Sequence, residues 1–201
     1  MTAQSGQRQR GAVLIVALIF LVILTMLGIT AMTGTTMETR MAGNARDVAV
    51  AAQAAEAAVR DAHRDLYRVT VNGGTARTLP IHYTQFGDAA GTPATCNTGP
   101  QKGLCRPNNC TLCGQQNAVL PADLTSVVSF TGDPSVRYGE FTGAQQLTGV
   151  SQQPRYIIEA FCLPKYGSSL QTFCKFYRVT ARGYGQNPNT MVTLQEVYVT
   201  N

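Results

Sequence analysis

The residues that could do chemistry are six cysteines, two histidines and scattered carboxylates. The tightest spacing is Cys110-Thr-Leu-Cys113. A C-x-x-C pair can cycle between thiols and disulfide or supply half of a tetrahedral zinc site. A zinc site would have to recruit Cys96 and Cys105, whose spacing is irregular. His63 and His82 stand without a motif around them. There is no phosphate-cradling glycine loop with its lysine, no nucleophile elbow, no H-E-x-x-H and no D-x-D-x-D calcium loop. The sequence therefore predicts no enzyme, cofactor, metal or small-molecule substrate.

The elements that position these residues begin with an apolar run. No charged residue occurs from Gly11 to Met37, and Ala12 to Met32 is almost wholly Ala, Val, Leu, Ile, Phe and Met. As a helix that stretch rises about 30 Å, the thickness of a bilayer's hydrocarbon core. Arg8 and Arg10 precede it and Glu38 is the first charge after it, which by the positive-inside rule leaves the N-terminus in the cytoplasm and the remainder in the periplasm. All six cysteines lie on the periplasmic side, where disulfides persist. A structural disulfide is thus the stronger reading of Cys110 and Cys113, and a membrane-tethered thiol oxidoreductase the alternative.

The formal charge of +5 is ordinary once placed along the chain, because the part after Arg10 carries 14 Lys and Arg against 11 Asp and Glu. A surplus of three, unclustered, gives no footprint for nucleic acid. The apolar stretch is too long for a secretory signal and lacks an A-x-A site. Helix formers continue to Tyr67, and the first proline is Pro80, so one helix is expected from near Ala12 to about Arg68. Val48, Ala52, Ala55, Val59, Ala62 and Leu66 make an apolar stripe, and Gln53, Glu56, Arg60 and Arg64 line the opposite face, with Glu56 placed to pair with Arg60. The stripe needs a partner, which the C-terminal strands can supply.

Thr70 to Asn117 is rich in Gly, Pro, Asn and Thr and reads as loop. Arg155 to Leu163, Phe173 to Gly183 and Thr190 to Val199 read as three strands of an antiparallel meander, with a turn at Gln186-Asn187-Pro188-Asn189. A hairpin between the first two brings Cys162 and Cys174 together as a pair. Cys96, Cys105, Cys110 and Cys113 then pair among themselves in an order the sequence leaves open.

Gln7-Arg8-Gln9-Arg10-Gly11 followed by Ala12-Val13-Leu14-Ile15-Val16 resembles a type IV prepilin signal. Glu38-Thr39-Arg40-Met41-Ala42-Gly43-Asn44-Ala45-Arg46-Asp47, Gln53-Ala54-Ala55-Glu56-Ala57-Ala58, Tyr177-Arg178-Val179-Thr180-Ala181-Arg182-Gly183 and Val192-Thr193-Leu194-Gln195 resemble the two ends of PilX-type pilus assembly proteins. The segment from Thr70 to Gln153 carries no recognisable likeness. The resemblance implies that prepilin peptidase cuts between Gly11 and Ala12 and methylates Ala12. It implies a subunit that passes from the inner membrane into a fibre, with other minor pilins, the major pilin and a large tip adhesin as partners. Major pilins carry a glutamate at the fifth mature position, where its carboxylate answers a neighbouring amino terminus. Here that position is Val16, which suits a subunit at the tip or in the initiation complex, with nothing docked above it. A tip pseudopilin of a type II secretion system also lacks that glutamate, but the PilX-like segments weigh against it.

The expectation is an α+β, pilin-like fold. It comprises a leader at 1–11, a membrane and fibre-core half-helix at 12–32, an amphipathic half-helix at 33–68, a cysteine-containing loop region at 69–154 and a meander at 155–201.

Overall fold

The computed structural model describes residues 10–77, 86, 95–106, 128–164 and 172–199. The chain divides into two compact units, one up to Arg46 and the other from Asp47 to Asn201. A single helix, α1, runs from Arg10 to Leu66, about 85 Å of helical rise for its 57 residues. It holds no proline, and its apolar and Ala-rich halves are both good helix formers. It ends where Arg68 and Asn72 take positive φ, a conformation that breaks the helical repeat.

Six strands follow, β1 Thr95–Cys96, β2 Leu104–Arg106, β3 Val136–Arg137, β4 Arg155–Pro164, β5 Thr172–Tyr184 and β6 Met191–Val199. They form one sheet in the order β1-β2-β4-β5-β6, with β3 pairing β4 off that path. β4, β5 and β6 are the expected antiparallel meander, joined between β5 and β6 by the turn at Gln186–Asn189. On the other side of β4 the sheet becomes mixed, because β2 pairs β4 in parallel through Leu104 opposite Ile158 and Cys105 opposite Glu159.

One face of the sheet packs on α1. Tyr156, Ile158 and Ala160 of β4 and Tyr177, Val179 and Ala181 of β5 meet Ala58, Val59, Ala62 and Leu66 of the helix. Strand alternation puts these six on one face and Ile157, Glu159, Arg178 and Thr180 on the other. That second face buries Ile157 with Cys105, Val128 and Phe130, and holds the Glu159–Arg178 ion pair at 2.7 Å with both side chains nearly inaccessible. The buried stripe of the helix is shifted from the one expected. Val48 is exposed, whereas Ala51, Ala54 and Ala58 are buried with Ala55, Val59, Ala62 and Leu66. Small residues face the sheet where it comes closest. A Cβ on Gly183 would collide with the backbone at Ala51 and Ala55, so only glycine permits that approach.

The turn between β5 and β6 is tied to the start of this half of the helix. The Asp47 carboxylate accepts the Gln186 N–H at 2.5 Å and the Asn187 N–H at 3.3 Å.

Candidate assembly surface

In the N-terminal unit every described side chain from Ala12 to Met32 is exposed, including Leu14, Ile19, Phe20 and Leu24. A helix this long and apolar satisfies the length and composition of a membrane span, and it is a candidate membrane anchor. Its polar atoms are already answered within it. The Thr25 hydroxyl donates to the Val22 carbonyl at 2.8 Å and the Thr30 hydroxyl to the Leu27 carbonyl at 3.0 Å. With the backbone also paired internally, this cylinder can sit in hydrocarbon or among other apolar helices without an orphaned donor. Gly11 and Ala12 fall in the first turns of α1. Val16 lies on the exposed surface at 51% accessibility.

The second unit is locked by polar groups that the helical periodicity alone does not reveal. Asp61 and Asp65 lie one turn apart on the buried face. Asp65 accepts from Arg77 Nε and Nη2, each at 2.8 Å, and from the Tyr156 hydroxyl at 2.9 Å. The same guanidinium donates to the carbonyls of Pro100 and Lys102 and lies 3.9 Å from the Phe141 ring centre. Asp61 accepts the Gly139 N–H at 2.7 Å and the Thr142 hydroxyl. Burial holds the Asp61 carboxyl above the usual range despite those two donors, and burial beside Asp65 pushes the Tyr156 phenol well up. The helix, the segment after it and the loop before β4 are thereby fastened through two carboxylates.

Of the residues singled out from sequence, Gln53, Glu56 and Arg60 are exposed and Arg64 is partly so. Arg60 Nε points to the Glu56 backbone carbonyl at 3.4 Å rather than to its carboxylate, and no Glu56–Arg60 ion pair is found among the described residues. An exposed guanidinium gains little from a solvated carboxylate, so the carbonyl competes well. His63 is half-buried, its ring centre 4.7 Å from those of Tyr67 and Tyr198. His82, Cys110 and Cys113 lie outside the described residues, as do the side chains of Cys162 and Cys174. The β4–β5 register brackets these last two positions, with Phe161 opposite Phe176 and Leu163 opposite Phe173 around an irregularity. Cys96 and Cys105 form a disulfide across β1 and β2, one of the pairings the sequence left open. Among the described residues no group of three or more His, Cys, Asp or Glu is placed to hold a metal ion.

The first unit thus exposes an apolar helix, and the second is locked by buried polar groups. Two family models match the chain. One, described as type IV pilus assembly protein PilX C-term, covers residues 89–200, and the other, PilX N-terminal, covers residues 10–60. The first takes in most of the middle segment that carries no likeness by eye. No curated protein and no solved structure matches the chain.

Proposed function

This chain belongs to the PilX family of type IV pilus assembly proteins, and from that membership we propose that it is a prepilin acting at the tip or in the initiation complex of a type IV pilus. The family is one of structural, minor pilins that work through contacts with other pilus components. In the proposed route the chain enters the inner membrane through Ala12–Met32 with its C-terminal unit in the periplasm. Prepilin peptidase removes residues 1–11 and methylates Ala12. The subunit then leaves the bilayer, because a fibre core of apolar helices replaces lipid with neighbours of the same polarity. Its partners are other minor pilins, the major pilin and a large tip adhesin.

The observation that carries this reading is an exposed apolar half-helix with Val16 in place of a carboxylate. A subunit docking beneath another would have to answer the buried amino terminus of its neighbour, and an unpaired charge in an apolar bundle costs several kcal/mol. Val16 cannot supply that answer, so the top of the fibre is the position free of this cost.

Intact mass and N-terminal sequence, compared between cells with and without prepilin peptidase, test the route. A chain starting at methylated Ala12 only in the presence of the peptidase is the expected result, and an uncut chain in both strains overturns it. Val16→Glu tests the position. More copies per pilus are expected, and unchanged piliation with unchanged stoichiometry overturns the tip assignment.

A further inference from the structure

β6 is the far edge of the sheet, and among the described residues it pairs only with β5. Its register with β5 runs unbroken from Phe176 opposite Val199 to Tyr184 opposite Met191. Every second residue of such a strand turns its N–H and C=O outward, away from the existing pair. Edges that must stay alone are shortened, bulged or guarded by lysine and proline. The sequence Met-Val-Thr-Leu-Gln-Glu-Val-Tyr-Val has no lysine, no proline and one charge, Glu196, and it exposes Met191, Val197 and Val199. The opposite edge, β1, has two residues and is clipped by the Cys96–Cys105 disulfide.

Beside the β6 edge, α1 and the strand enclose an open groove of about 350 Å³, lined by Glu56, Val59, Arg60, Leu194, Gln195 and Glu196. Its floor is apolar, from Val59 and Leu194. The Glu196 carboxylate accepts the Tyr198 hydroxyl at 2.8 Å, and no ion pair engages Glu196 or Glu56 among the described residues. Two carboxylates against one guanidinium leave the groove one negative charge in excess.

We infer that β6 accepts an added antiparallel or parallel strand from a different pilus protein, one whose groove-facing residues are apolar around a lysine or arginine. Main-chain hydrogen bonds supply the affinity of such strand addition, and pockets for alternate side chains supply the choice of partner. A second copy of this chain is the poorer occupant, because pairing β6 with β6 brings two Glu196 and two Glu56 carboxylates against only two Arg60 guanidiniums to one seam, and an excess of like charge across strands is unfavourable. The inference rests on the chain acting in pilus assembly.

The test uses the full-length protein in piliated cells, with a photo-reactive residue placed at Val197 in one strain and at Leu18 in another. The expected result is an adduct at Val197 with another pilus protein, mapped to an extended segment containing Lys or Arg. Glu56→Lys with Glu196→Lys should lower its yield at least tenfold, with Glu56→Gln and Glu196→Gln giving a smaller loss. An adduct at Leu18 with none at Val197 leaves the assembly role standing and overturns strand addition. A Val197 adduct only to this chain itself overturns the heterologous partner, and absence of both adducts overturns both readings.

Discussion

At the scale of single residues, the second unit depends on Asp65 and Arg77. Both are nearly inaccessible, and Arg77 satisfies the carboxylate with paired donors. Removing one partner leaves the other charge buried, which costs about 3–5 kcal/mol. Arg77→Ala should therefore unfold the second unit at a markedly lower urea concentration, while Tyr156→Phe, which removes one neutral donor, should cost about 1–3 kcal/mol. Asp61 and Asp47 should respond oppositely to acid. The folded Asp61 carboxyl is raised above 3.8, chiefly by burial. Below 3.8 it is protonated folded or unfolded. As pH climbs from there through the raised folded value the unfolded state loses its proton first, and stability falls. The Asp47 carboxyl is lowered from 3.8, chiefly by its bond with Thr190, so its stabilisation is present above that value and is lost as pH falls. Denaturation between pH 3 and 6 should show a shallower pH-dependent loss for Asp61→Asn and a weaker acid sensitivity for Asp47→Asn. These roles were not legible in the sequence. The partners of Asp65 stand 12 residues away at Arg77 and 91 away at Tyr156, and no local pattern links them. A signal did exist, since two aspartates flank Ala62 on a face otherwise made of alanine, valine and leucine.

At the scale of elements, the meander was legible because β4, β5 and β6 are long and alternate, and the helix because nothing in its sequence interrupts it. β1, β2 and β3 have two or three residues each, too few to show a period, and the parallel β2–β4 pair joins segments with no mark of their relation. The rotation of the buried stripe has a packing cause. Helix and sheet approach most closely at Gly183, and the face that fits is the one carrying Ala51 and Ala55, not Val48. Gly183→Ala should cost at least about 1–3 kcal/mol, because the atoms it meets are helix backbone and cannot turn aside. Its thermal midpoint should fall while Gly28→Ala, with open space around the added methyl, leaves the midpoint unchanged or higher. Cys96→Ser with Cys105→Ser should cost about 2–3 kcal/mol, the loop-closure entropy for a span of this size.

At the scale of the whole molecule, the two units differ in what they expose: the first is an apolar helix, a candidate membrane anchor, and the second holds the sheet and its core. Of the six cysteines, Cys96 and Cys105 form a staple across β1 and β2, while Cys110 and Cys113, which carried the redox reading, lie outside the described residues. A fragment from Asp47 onward retains every described residue of the sheet and the helix face that covers it. It should be soluble without detergent and monomeric by light scattering, whereas the full chain should require detergent, its exposed apolar side chains having no partner in water.

The parallel pair also sets an order of events in time. The β1–β2 hairpin closes over a separation of 9 residues, and α1 needs no distant partner to form its turns, so both are fast and local. Docking β2 against β4 joins residues about fifty apart, Leu104 to Ile158, and must await a strand made later. In the proposed route the hairpin can therefore be oxidised before its future neighbour arrives. The sheet then grows by receiving a finished clip, which spares β4 a long wait with its edge exposed to strands of other chains.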